Sequence, residues 1–272
     1  KLLAHLGLQE KIEAMYFLNE HTRSEEIAAL AKLCKNKNVA YFGGGMANIN
    51  ASVPELLNSS ITGNKANWGG GGMYNRSASN AVLSNVTISD NRASYDGGGI
   101  YNQTSAPKIY NVVFSSNRAN YGGAMYNNGV SVPIITNCTF YSNLGIGKAL
   151  RNHSNSNALV SNSILWDNGG EMANYYSTPT FKNCIIKSSG GSASWNTGLG
   201  TDNGGNLDTD PLFSDEANGD FTLLAGSPAI NNGSNSAWVA TGLSLDANNE
   251  ARPQGMIVDM GALERTFTSL MN

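Results

Sequence analysis

The chain has 272 residues, a formal net charge of −3 and 14% charged residues, against about 25% in an ordinary domain. That balance excludes a general nucleic-acid binder, and no run of 18 apolar residues offers a membrane-spanning helix. Asn and Gly number 37 and 31. With 40% hydrophobic residues in a strict register, they signal turns rather than disorder.

Residues 1–38 differ from everything after them. Leu3, Leu6, Ile12, Met15 and Leu18 recur at helical spacing. Thr22-Arg-Ser-Glu25 reads as a capping box, with Ile27, Leu30 and Leu33 continuing the apolar face. A solenoid end exposes core and open strand edges, so this segment is expected to be a helical N-terminal cap; the tail of an upstream domain is the alternative. The chain opens at Lys1 without Met or a signal-peptide pattern, as a processed or truncated form would.

From 39 to 189 the chain repeats. Corner asparagines Asn58, Asn85, Asn111, Asn137, Asn162 and Asn183 lie 27, 26, 26, 25 and 21 residues apart. Three positions after them stand Ile61, Ile88, Phe114, Phe140, Leu165 and Ile186, and six positions after, Asn64, Asn91, Asn117, Asn143, Asn168 and Ser189. A second line ends at Asn48, Asn75, Asn102, Asn127, Asn152 and Asn174, mostly after Gly-Gly. A fixed period in the 20s means a solenoid, and period-2 alternation broken by Asn and Gly means short strands. About 25 residues are too few for a crossover helix between two strands. The fold predicted is all-β: a right-handed parallel β-helix with three short strands per coil, like residues stacking about 4.8 Å apart and asparagines forming ladders.

Several constellations dissolve in this register. Cys138 and Cys184 stand two coils apart, about 9.6 Å, beyond disulfide reach, and read as buried thiols. Asp90 and Asp167 share a register but stand three coils apart, so no carboxylate pair forms. His153 has no evident partner. The run Gly69–Gly72 lacks the Lys-Ser/Thr of a phosphate loop and reads as a corner needing positive φ. No metal or cofactor is expected.

One constellation remains. Lys65, Arg92 and Arg118 recur as a basic row, with an aromatic row of Trp68, Tyr95 and Tyr121 beside it and a third row of Tyr74, Tyr101 and Tyr126 on the following strand. These nine residues are the candidate ligand-binding set, with no catalytic residue among them. The bland alternative is a solvated row steadied by neighbouring tyrosines.

Residues 190–272 lose the register and are expected to form irregular C-terminal coils. The acids Asp202, Asp208, Asp210, Asp215 and Asp220 read as turn residues rather than a Ca²⁺ site. Asp210-Pro-Leu-Phe213, Gly219-Asp-Phe221-Thr-Leu223, Gly226-Ser-Pro-Ala-Ile-Asn-Asn-Gly233, Arg252-Pro253 and Asp259-Met-Gly-Ala-Leu-Glu264 follow in order. Over 207–264 this resembles the choice-of-anchor Q domain family of secreted bacterial β-helix proteins, with Asn231 where the family usually has Asp. The preceding repeats are similar to those of polymorphic outer-membrane-protein adhesins. The resemblance implies export to the cell surface or the extracellular space, and a C-terminal sorting or anchoring module that was lost, omitted or never present. It implies no particular activity. The expected function is a structural or adhesive module that binds an extended polymer, such as a polysaccharide or another cell-surface component, without catalysis. The alternative is a polysaccharide lyase or glycoside hydrolase acting on an acidic glycan, which needs convergent acid and base groups that the sequence does not assemble.

Overall fold

The computed structural model describes residues 44–145 and 149–266; the cap expected over 1–38 lies outside the described residues. The repeat folds as a parallel β-solenoid. One sheet stacks β1 (Met46–Asn48), β4 (Met73–Arg76), β7 (Ile100–Gln103), β10 (Met125–Asn128), β13 (Leu150–His153) and β16 (Met172–Tyr175) in register. We call it sheet A. Opposite it, β2 (Glu55–Thr62) and β5 (Val82–Ser89) run through a corner unbroken. Later coils break there into two strands. Sheet B continues through β8 (Lys108–Tyr110), β11 (Ile134–Thr136), β14 (Leu159–Ser161), β17 (Thr180–Lys182) and β19 (Thr201–Asp202). Sheet C continues through β9 (Val113–Ser115), β12 (Thr139–Tyr141), β15 (Ile164–Trp166) and β18 (Ile185–Ile186). The later coils therefore have the three strands expected, and in the first two coils two of the three are fused into one. A minimal fourth pairing, β3 (Lys65–Ala66) with β6 (Arg92–Ala93), joins the first two coils.

The corners explain the repeated residue types. Asn58, Asn85, Asn111, Asn137, Asn162 and Asn183 all have φ between 46° and 56°. Asn tolerates this left-handed region better than other non-glycine residues because its short amide bonds locally. The next corner also needs positive φ and uses Gly63, Asp90, Ser116, Ser142, Asp167 and Ser188. Asp90 and Asp167 are thus corner residues of one register. At the Gly corner, a Cβ on Gly98 would stand 2.4 Å from the Gly123 carbonyl oxygen, so the coils approach too closely there for a side chain.

Inside, like residues stack. Phe114 and Phe140 lie 4.6 Å apart with rings 4° from parallel. Leu83, Ile109, Ile135, Val160 and Phe181 line the core beside Ile88 and Leu165. Two buried asparagine ladders run along it. In one, each amide donates to the next from Asn48 through Asn75, Asn102, Asn127 and Asn152 to Asn174. The other runs from Asn64 through Asn91, Asn117 and Asn143 to Asn168, where Glu171 takes the place of the next asparagine and accepts from the Asn168 side chain at 2.6 Å. Each rung satisfies an amide that burial would otherwise leave costing about 1–3 kcal/mol. Cys138 and Cys184 are buried free thiols in the core, and burial pushes each up to about 12.

The C-terminal third departs from the expected irregular coils. Residues to Leu207 do add one irregular coil, with Thr201 paired to Thr180 and Leu207 bridged to Ile185. Beyond Asp210 the chain leaves the stack and returns along the outside as a strap. The strap holds an antiparallel hairpin, β20 (Phe213–Asp215) with β21 (Asp220–Leu223), and one short helix, α1 (Asn235–Val239). Its Phe213, Phe221, Leu223, Met260 and Leu263 pack on the outward Val113, Ile164 and Ile185 of sheet C. The outward column of sheet C is written for this. It reads Ser60, Thr87, Val113, Thr139, Ile164, Ile185. Polar residues stand where solvent meets it and apolar ones under the strap, each fully covered apolar side chain contributing about 1.5–3 kcal/mol. Thr139 is the covered exception, and its hydroxyl accepts the Ala262 N–H at 3.0 Å.

The strap also reads the corner asparagines. Asn111 donates to the Leu245 carbonyl, Asn137 to that of Asp259, Asn162 to that of Ser234 and Asn183 to that of Asn232. Gly261 has φ 96°, and a Cβ there would meet Ile164 Cδ1 at 2.8 Å, which accounts for the glycine in Asp-Met-Gly-Ala. A fully buried Arg252 clasps the strap. Its Nε lies 2.9 Å from Glu264 Oε2 as an ion pair without hydrogen-bond alignment, and its Nη2 donates to the Asp259 and Gly261 carbonyls at 2.7 and 2.9 Å. Asp202, Asp210 and Asp220 accept backbone N–H groups two residues on, Asp215 accepts from the Asn218 side chain, and Asp208 holds the corner of the preceding coil by accepting the Ser188 and Gly190 N–H groups. They serve turns and, for Asp208, a corner.

Candidate ligand-binding face

With sheet C under the strap, the outer face of sheet A and the corner before it carry the open aromatic and basic side chains. Lys65 pairs in register with Arg92, and Arg92 bridges to Arg118. All three are exposed, because Ala66, Ala93 and Ala119 at the next position turn inward into a small apolar cluster of their own. The structure thus brings the basic row together, one coil rise apart, about 4.8 Å. Leu144 follows Arg118 in that register and ends the row. Among the described residues none of the three makes an ion pair.

The aromatic row is shorter than expected. Trp68 and Tyr95 stack at 5.1 Å, but Tyr121 does not join them. Six residues separate Asn64 from Gly70 and Asn91 from Gly97, and only five separate Asn117 from Gly122. The deletion moves Tyr121 into the register of Gly69 and Asp96. There its ring meets Arg151, whose guanidinium carbon lies 4.2 Å from the ring centroid.

The third row forms as a true stack. Tyr74, Tyr101 and Tyr126 follow one another at 5.2 Å, and Tyr74 donates to Gln103 at 2.6 Å. Stacking changes what the row can do. Ring faces point along the solenoid axis and are covered by the neighbouring rings, so the tyrosines offer their edges to a ligand. Tyr74 and Tyr126 are accordingly buried, not outstanding as the sequence suggests. Desolvation pushes Tyr101 up to about 12, so these phenols are donors at any physiological pH. Trp68, at 68% exposure, is the most open of the set.

Five residues the sequence analysis did not select complete the face. Asp96 is half-buried beside the tyrosine stack; desolvation raises its carboxyl above the usual range, and the Arg151 charge partly offsets this. Arg151 takes the next register after Tyr126 and lies between Tyr121 and Tyr175, 4.4 Å from the latter's centroid. Tyr175 and Tyr176 are exposed. His153 sits among them, its Nδ1 2.6 Å from the Ser154 hydroxyl. The signal for Arg151 was present: Gly-Lys-Ala-Leu-Arg-Asn152 aligns with Gly-Gly-Ala-Met-Tyr-Asn127, and reading the aligned columns gives Arg in the tyrosine position.

Among the described residues no three of His, Cys, Asp and Glu converge as metal ligands, and no helix is long and apolar enough to cross a membrane. The fold defines a parallel β-helix protein. Residues 31–164 match the family described as "Right handed beta helix region". No curated protein and no solved structure matches the chain.

Proposed function

We propose that this chain is a non-catalytic structural and binding module that holds an extended acidic polymer, such as a polysaccharide, along its basic corner. The observation that carries this reading is the row Lys65, Arg92 and Arg118, exposed and in parallel register. Like charges one coil rise apart repel, and a polymer bearing regularly spaced carboxylate or sulfate groups relieves that repulsion at every step. Because the aromatic faces are largely stacked on one another, charge supplies most of the attraction, with Trp68 as the one broad apolar contact. Each contact is weak, so affinity comes from several at once and falls with salt. The C-terminal motifs that resemble the choice-of-anchor Q family support an extracellular or bacterial cell-surface setting. The test is the triple change of Lys65, Arg92 and Arg118 to Ser, assayed on immobilised polygalacturonate over a salt series. A tenfold or larger loss with a shallower salt dependence is expected. Unchanged binding, or depolymerisation of the polymer by the parent chain, refutes the reading.

A further inference from the structure

The basic row ends at Leu144, yet the face continues to Arg151, two aromatic rings and a histidine that the row does not use. Three features set Arg151 apart from Lys65, Arg92 and Arg118. Its guanidinium is held between Tyr121 and Tyr175, at 4.2 and 4.4 Å from their centroids, with Tyr126 at 5.6 Å. Its Nε is buried without a hydrogen-bond partner, and its guanidinium also acts on the Tyr126 phenol as a side-chain hydrogen-bond partner. Among the described residues it forms no ion pair, although Asp96 is close enough for the Arg151 charge to act on it. The next residue in its register is Ala173, so the column of large side chains stops there and the Tyr175 ring, two residues on along the strand, meets the guanidinium instead. Beyond Tyr175 stand His153, its ring 6.0 Å from that of Tyr175, and Tyr176, at 86% exposure and 6.5 Å from the His153 ring, edge to face.

We infer that Arg151 and the rings around it form a discrete site for one carboxylate-bearing sugar ring, with Arg151 binding the carboxylate and Tyr176 and His153 bordering the ring. The inference rests on the proposed binding of an acidic polymer and names the point at which that polymer is recognised rather than merely attracted. A guanidinium held between two rings can offer only its in-plane edge. A planar carboxylate fits that edge bidentately and lies within the same slot. A tetrahedral sulfate would place oxygens above and below the plane, against the rings. The cation–π contacts orient the guanidinium before the ligand arrives, so little side-chain entropy remains to be lost on binding.

The test measures binding of hexagalacturonate, its methyl ester and a sulfated oligosaccharide to the parent, Arg151→Gln, Arg151→Lys, Tyr176→Ala and the triple Ser variant of the basic row. Arg151→Gln should weaken hexagalacturonate at least tenfold and abolish its preference over the methyl ester. Arg151→Lys keeps the charge without the planar fork, so it should bind the sulfated sugar like the parent while losing the carboxylate preference; it also serves if the Gln variant fails to fold. Tyr176→Ala should weaken hexagalacturonate and its ester alike. Parent-like binding by both Arg151 variants, with loss only in the triple variant, overturns this site and leaves the basic-row reading intact. A parent that binds none of the acidic sugars overturns both.

Discussion

Removing Arg252 tests whether the strap is clasped to the solenoid or fused with it. Arg252 is fully buried, pairs with Glu264 across 2.9 Å and donates to two carbonyls of the strap's last turn. Burial lowers its pKa while Glu264, Asp246 and Asp259 raise it, so the guanidinium is held charged by a ring of acids. In Arg252→Met the apolar stem is kept and the charge is lost. Glu264 and Asp259 then lie buried with only backbone donors: Gln254 and Asp259 N–H for the first, Asn231 and Arg265 N–H for the second. Breaking a buried pair from one side costs roughly 3–5 kcal/mol. The solenoid should feel it little, because the hydrogen bond from Arg252 to the coils is a long one, to Asn111 Oδ1 at 3.4 Å. The loss should therefore appear as local opening. Amide exchange of Asn231, Gly233, Met260 and Gly261 should quicken by roughly two to four orders of magnitude, while Ile100 and Met125 stay at the parent rate. Equal acceleration in both sets would mean that strap and coils unfold as one unit. A change of less than tenfold in the strap would mean that the ion pair is not its clasp.

Two further outcomes test the core. Phe114→Ala opens a void in a stack whose neighbour lies 4.6 Å away and should cost roughly 3–5 kcal/mol in denaturant unfolding; a loss below about 1 kcal/mol would contradict the burial of that column. Glu171 is raised to about 6 by desolvation, against the Asn168 hydrogen bonds that lower it. A raised carboxyl binds its proton more tightly when folded, so stability is greater below the unfolded value and falls as pH rises from about 4.5 to about 6. The change is about 2 kcal/mol at one pKa unit per 1.36 kcal/mol, and Glu171→Gln should flatten the parent's slope in that window.

Much of the fold was legible because a solenoid writes the same environment once per coil. Asn at 58, 85, 111, 137, 162 and 183 occupies one left-handed corner six times, and six coincidences in register outweigh the uncertainty of any single turn. The strap was not legible in the same way. It forms no repeat, and its docking joins residues far apart, such as Gly261 and Asn162. Its imprint is nevertheless written in the column that changes from Ser60 and Thr87 to Val113, Ile164 and Ile185. Period alone labels these positions outward, and only their chemistry says that something covers them. The candidate face was half legible. Equal spacing found Lys65, Arg92 and Arg118, but stacking by distance from the corner Asn put Tyr121 in the wrong column, where counting on to the following Gly exposes the missing residue. Arg151 was overlooked because a change of residue type within an aligned column is easily taken for the end of the pattern.

The strap makes the two ends of the solenoid unequal in how they can lengthen. Its bonds fall on Asn111, Asn137, Asn162 and Asn183 in turn, so it acts as a ruler laid against four successive corners. Duplicating a coil between Asn111 and Asn183 would pull those marks out of step with Leu245, Asp259, Ser234 and Asn232, and it would also need another covered apolar position. Duplicating one before Asn85 would disturb none of them, since the outward residues there, Ser60 and Thr87, already face water. Growth and loss of repeats in this lineage should therefore be confined to the N-terminal coils, the same coils that carry Lys65, Arg92 and Trp68. The length of the basic corner would then vary between relatives, while Arg151 and its ring neighbours beside the strapped coils stay fixed.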